Sequence, residues 1–290
     1  MLLGYNTNGL AEHRLCDAID ILSELGYESV AITLNRHALD PRGADLVEEI
    51  AAMRSQLSAR GMRSVIETGA RFLLDPRHKH QPTLIHPARG ERERRLNFLR
   101  GAIDIARELE SDCVSFWSGA PTDEPRDIQH HRLREACLRL CDQAASRQVR
   151  LAFEPEPGML VERMEQYAEL ASSIDRGVFG LTLDVGHVHC LADGDCGQHI
   201  VRFRDCLWNV HIEDMRRGRH EHLMFGEGDM DFAPIFSALK QIQYAGGVHV
   251  ELSRHSHDAV NAATRAMEFL CRQPGASRPR VTFKRPLQRP

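Results

Sequence analysis

The chain has 290 residues, 42% hydrophobic and 27% charged, which is the balance of an ordinary soluble globular protein and a length that suits one large α/β domain. No run of about 18 apolar residues occurs, so no membrane span is expected. The start, MLLGYNTNGLAEHR, lacks the basic and long apolar parts of a secretory signal, and a cytoplasmic location is expected. The net charge of −4 argues against a surface built to neutralise nucleic-acid phosphates.

Short apolar runs alternate with amphipathic stretches along the whole chain. Strands are predicted at 2–5, 29–34, 63–67, 113–117, 149–154, 179–184, 208–212 and 247–251. Helices follow them in turn at 11–25, 44–60, 91–110, 133–147, 160–172, 199–206, 232–241 and 259–270. In the first helix Ile19, Leu22 and Leu25 show the spacing of three that one apolar face requires. Eight such units in alternation predict a single-domain (β/α)8 barrel over residues 1–272.

The loops are asymmetric. Links from helix to strand are tight, and Gly26 and Gly61 look like helix C-caps. Links from strand to helix, at 68–90, 118–127 and 213–231, are long and polar; a barrel gathers those at the C-terminal face, where active sites form. The Arg/Pro-rich segment 273–290 has no periodicity and is expected to be a mobile or partner-bound tail. The eight cysteines include no CxxC pair and are read as reduced, buried thiols.

Four metal-type ligands end four successive apolar runs: Glu154 in LAFEPEPG, Asp184 in GLTLDVGH, His211 in LWNVHIED and Glu251 in GGVHVELS. Their period of two places Ala152, Glu154 and Glu156 on one face, Thr182 and Asp184 on another, and His249 with Glu251 on a third. Ionisable groups facing a barrel interior persist only when paired or bound to a cation. A carboxylate ending a strand also has a plainer use as a cap for the next helix. Two glutamates, an Asp and an imidazole form a hard donor set: Mn²⁺ is the expected ion, and Mg²⁺, Co²⁺ or Zn²⁺ suit the same atoms.

This order of residues resembles the xylose-isomerase-like barrels, the sugar-phosphate isomerase/epimerase and endonuclease-IV-like superfamily. The matching positions are Glu154, followed by Pro155, then Asp184 with His187, then His211 and Glu251. The match spans most of 1–271, specific in the second half and little more than topology in the first. It implies a ketose whose carbonyl and neighbouring hydroxyl chelate one divalent metal, with Glu154 and Glu251 exchanging protons on opposite faces through an enediolate. His187 resembles the family histidine that contacts substrate oxygen, and His189 is a weaker candidate for such a contact.

Further along, His220 and His222 precede Gly226-Glu227-Gly228. Endonuclease-IV-like proteins bind an additional zinc at the similar place, so a second metal is conceivable. The reading preferred is that Arg216, His220 or His222 grips substrate hydroxyls or a phosphate. Glu156, Glu67 and Trp117 complete the expected substrate contacts; the alternative for Glu67 is to cap a loop, and for Trp117 to serve packing. His78 and His80 fall in a long loop over the mouth.

The function expected is isomerisation or epimerisation of a small sugar, cyclitol or keto-sugar, with a homodimer left open. The alternatives are a lyase of the inosose- or dehydroshikimate-dehydratase kind or one that eliminates from a 3-keto-glycoside, an endonuclease-IV-like nuclease, and a non-catalytic sugar-binding protein. The upstream histidines of the nuclease are missing, since the third and fourth strand ends carry Glu67 and Ser118-Gly119. No Walker A, GxGxxG or GxSxG motif occurs.

Overall fold

A computed structural model describes residues 1–174 and 177–273. Eight parallel strands close on themselves: β1 (Leu2–Asn6), β2 (Ser29–Thr33), β3 (Arg63–Glu67), β4 (Val114–Phe116), β5 (Leu151–Phe153), β6 (Phe179–Asp184), β7 (Leu207–Ile212) and β10 (Gly247–Val250). Each pairs with its neighbour in this order, and β1 pairs with β10 to complete the ring. The barrel predicted from the alternation is the observed fold.

Outward-facing strand residues such as Val30, Ile32, Phe116, Phe153, Val210 and Val250 are buried beneath the helices. These are α1 (Leu15–Glu24), α2 (Leu46–Arg60), α3 (Arg89–Leu109), α4 (Arg126–Arg147), α5 (Met164–Ser172), α6 (Val185–Cys190), α7 (Cys196–Arg202), α8 (Ala233–Gln241) and α9 (Ala259–Leu270). Inward positions are small or polar instead, with Ala31, Val65, Cys113 and Ala152 forming a separate apolar cluster. A Cβ added at Gly4 would lie 2.3 Å from His249 Cδ2, so only glycine there leaves room for an imidazole in the barrel's centre. Among the described residues no helix is long and apolar enough to cross a membrane.

Several boundaries differ from expectation for identifiable reasons. Helix α4 begins at Arg126, not 133, because its first two turns bury little besides Gln129, which ties down the preceding loop through Thr122 and Glu124. Helix α5 starts at Met164, not 160: Leu160 N–H and Val161 N–H instead bond to Gly119 O and Ser118 Oγ. Ahead of α1 the chain makes a separate 3-10 turn over Thr7–Leu10. The predicted sixth helix shifts to Cys196–Arg202, where Asp195 accepts from Gln198 N–H at 2.7 Å.

Two elements were not anticipated. Helix α6 follows β6 at once, and the link after β7 folds into an antiparallel hairpin, β8 (Asp214–Arg216) and β9 (Arg219–Leu223). Buried Asp214 organises this hairpin by accepting from Met215, Gly226 and Met230 N–H groups. From residue 274 on, the Arg/Pro-rich tail lies outside the described residues.

Candidate metal centre at the barrel mouth

Glu154 and Glu251 each follow the last residue of their strand, yet their N–H groups still bond to the neighbouring strand, to Phe116 O at 2.8 Å and Ile212 O at 3.1 Å. Their backbones are therefore fixed by the sheet although their side chains reach above it. Asp184 ends β6 and also caps α6: its Oδ1 accepts from His187 N–H at 2.9 Å, while Oδ2 has no hydrogen-bond partner among the described residues. The capping use thus occupies one oxygen of the side chain and leaves the other without a hydrogen bond. One ligand atom each from Glu154, Asp184, His211 and Glu251 lies within 4.8 Å of every other, in buried or half-buried surroundings. Three carboxylates and one imidazole converging out of water repel one another unless a cation joins them, so this donor set fits a divalent ion.

His211 is the hinge of the arrangement. Its Nδ1 lies 3.1 Å from Glu154 Oε1 and 3.0 Å from Glu251 Oε2, and its Nε2 lies 2.8 Å from Glu67 Oε1. Burial alone would lower the pKa of this imidazole, but Glu67, Glu154 and Glu251 together hold it well above the usual histidine range. One positive charge cannot neutralise three carboxylates. Burial and the neighbouring Glu251 and Glu67 charges push Glu154 up to about 8 despite His211. Glu251, equally enclosed, is instead carried below the usual carboxylate range by His211, His222 and His187. Both glutamates share the same Nδ1, so the proton belongs to the pair.

Behind His211 a polar chain crosses the barrel. Asn209 donates to Glu67 Oε1 at 3.1 Å, and its Oδ1 lies 2.8 Å from His249 Nδ1. That oxygen can only accept, so His249 carries its proton on Nδ1, and Nε2 accepts from Ser29 Oγ at 2.9 Å. Burial, with the His211 and Arg63 charges, pushes His249 down to about 3, consistent with this neutral form. On the open side, Asn8 Nδ2 donates to Glu251 Oε1 at 2.7 Å. Asn8 and Asn209 were missed in the sequence. Asn209 had a signal, lying two residues before His211 on the same strand face; Asn8 had none beyond its place after the first strand.

A cavity of about 250 Å³ opens here, with Glu154, His211 and Glu251 of the four in its lining and Asp184 outside it. His187, Glu156, His220, His222, Glu67 and Trp117 also line it. Half-buried Glu156 is pushed up to about 7 by its enclosure and by Glu251. His187 Nε2 and His220 Nε2 are 3.0 Å apart, and His222 sits with them on β9, where i, i+2 spacing turns both imidazoles to the same side. Trp117 forms a wall, with His80 tilted against it at 5.2 Å and the guanidinium of buried Arg95 over its ring at 4.8 Å.

Arg216 is not brought into the cavity. It pairs with Arg219 at the exposed tip of the hairpin and donates to Glu227 O, because the turn at 217–218 carries it away from the mouth. The cations on the cavity wall are Arg71, Lys79 and Arg254, from the loops after β3 and β10. His189 is also elsewhere, 2.5 Å from Asp229, and His78 pairs with Asp75 in solvent.

The chain is 24% identical to an L-ribulose-5-phosphate 3-epimerase of Shigella flexneri over 72% of its own length and 74% of that protein's. A D-allulose 3-epimerase from Methylomonas sp., solved in complex with D-allulose, superposes with a TM-score of 0.74 at 20% identity, covering 94% of this chain and 97% of that one. The IOLI protein, solved with a bound zinc atom, superposes with a TM-score of 0.74 at 18% identity, covering 93% and 97%. At such identities the structural likeness is one of fold. The model of the xylose isomerase-like TIM barrel family matches residues 19–273, nearly the whole described chain, and the protein belongs to that family.

Proposed function

We propose that the chain is a divalent-metal-dependent isomerase or epimerase of a small ketose, cyclitol or related keto-sugar. The observation that carries this reading is the convergence of Glu154, Asp184, His211 and Glu251 ligand atoms within 4.8 Å, three of these residues lining a cavity sized for such a molecule. The sugar-epimerase names among its relatives support it. A divalent cation held by these four residues supplies a Lewis acid for a carbonyl and its neighbouring hydroxyl.

The rest falls to the chain's own groups. Glu251 takes the proton from the carbon beside the carbonyl; Glu154 returns one to the other face. That proton reaches Glu154 from solvent, since ligation requires its carboxylate ionised. His187, His220 and Glu156 present hydrogen-bonding atoms to substrate hydroxyls, and Trp117 offers an aromatic face to the sugar ring or chain.

The test is a panel of ketoses and keto-cyclitols incubated with the Mn²⁺-loaded protein in D₂O. Exchange between isomers with deuterium entering beside the carbonyl is the expected result. Loss of water instead would make the protein a lyase working through the same proton removal. Tight sugar binding without any deuterium uptake would sink the catalytic reading.

A further inference from the structure

Arg95, in α3, is 1% exposed and forms no ion pair among the described residues. Its Nη2 donates to Thr68 O at 2.8 Å, and its Nη1 has no hydrogen-bond partner among the described residues. Two aromatic rings flank the guanidinium, whose carbon lies 4.8 Å from the centre of the Trp117 ring and 5.2 Å from that of Phe98. Taking a guanidinium out of water without a carboxylate partner is unfavourable, and an aliphatic side chain of similar volume would fill the same space at a lower cost. Packing alone therefore does not account for a charge at this position.

Both groups that the charge touches border the cavity. Trp117 is one of its walls, and Thr68 directly follows β3, at the root of the link that carries Gly69, Arg71, Lys79 and His80 into the lining. Thr68 Oγ1 donates in turn to Ser115 O at 2.7 Å, two residues before Trp117. The start of this link, the end of β4 and α3 are thus joined in one closed circuit of contacts. His80 meets the same indole from the far side of the link, and its N–H bonds to Arg71 O at 2.6 Å. The Trp117 side chain makes no hydrogen bond among the described residues, so its ring is placed by contact, and a cation over its face is a directional contact.

We propose that Arg95 is a positioning residue, which from behind the wall sets the plane and depth of the Trp117 indole and, through Thr68, holds the root of the 68–90 link. Arg95 itself touches neither the cavity nor the four converging residues. The inference rests on the proposed function in one respect, that Trp117 meets the substrate. A neutral side chain at 95 loosens the wall, which weakens substrate binding and leaves the proton transfers in place.

The experiment labels the full chain with 5-fluorotryptophan and loads it with Mg²⁺, which does not broaden the signals as a paramagnetic ion would. Two fluorine signals arise, from Trp117 and Trp208, and Trp208→Phe assigns them. In Arg95→Met the Trp117 signal is expected to shift and broaden while that of Trp208 stays. In Arg95→Lys, which keeps a cation within reach of the ring, it should move less. Kinetics on free ketopentoses and ketohexoses, D-allulose among them, should show KM raised about tenfold in Arg95→Met with kcat within about twofold, and a smaller rise in Arg95→Lys. An unmoved Trp117 signal with wild-type KM in folded Arg95→Met would overturn the proposal. So would a fall in kcat at constant KM, or both signals moving together, which marks general loosening. Should Arg95→Met fail to fold, Arg95→Lys decides, and a wild-type Trp117 signal and KM there would overturn the proposal equally. A displaced Trp117 signal where the wild type turns over no sugar of the panel would uphold the anchoring of the ring and overturn the proposed function instead.

Discussion

Replacing Glu67 tests whether the barrel's interior, and not only its rim, sets the strength of the metal centre. Glu67 Oε1 lies 2.8 Å from His211 Nε2, both side chains are buried, and Asn209 Nδ2 is a second donor to the same oxygen at 3.1 Å. Holding the proton on Nε2 leaves the Nδ1 lone pair facing Glu154 and Glu251. Leucine at 67 removes the acceptor and the charge, frees the tautomer and strands Nε2. Removing an outer partner of a ligating histidine typically lowers metal affinity 10- to 100-fold, or about 1.4–2.7 kcal/mol. Glu67→Leu is expected near the upper end. Glu67→Gln, which keeps an oxygen acceptor but no charge, belongs near tenfold. The assay is calorimetric titration of the chelator-stripped protein with Mn²⁺ at pH 8. An affinity within about twofold of wild type in folded Glu67→Leu would refute the argument. A raised KM with unchanged metal affinity would instead mark Glu67 as a substrate contact.

Glu154→Gln and Glu251→Gln are each expected to cut epimerisation about 10²- to 10⁴-fold at saturating Mn²⁺ while the circular dichroism melt persists, and full activity in either would remove that residue from the chemistry. In each variant the surviving carboxylate should still exchange deuterium with one epimer only, which NMR would read and which simple metal loss would not produce. Metal affinity should depend on pH, because Glu154, raised to about 8, and His211, raised well above its usual range, must both release protons to ligate. Apparent Mn²⁺ affinity is then expected to fall by about tenfold or more per pH unit below 8, and a flat profile between pH 6 and 8 would contradict it. Gly4→Ala drives a methyl into the His249 ring, which Ser29 and Asn209 hold in place, and should cost about 1–3 kcal/mol in urea unfolding.

The sequence by itself determined the barrel and singled out the four residues, Glu154, Asp184, His211 and Glu251, that converge at its mouth. Alternating apolar runs and amphipathic stretches have few packing solutions, and a strand that ends in Glu, Asp or His announces its ligand through the period of two. It misjudged Arg216, because the place of that residue depends on the hairpin of β8 and β9. That hairpin is organised by Asp214 bonding to backbone groups up to sixteen residues away, which no local periodicity encodes. Only the tertiary structure decided which neighbours each charge would have. Glu154 and Glu251 are alike as residues, and what separates them is the charges around each: His222 and His187 join His211 in favouring an ionised Glu251, while Glu67 stands against an ionised Glu154. Proton positions and unpaired oxygens follow from distances of a few ångströms between distant segments, and such distances exist only once the ring is closed.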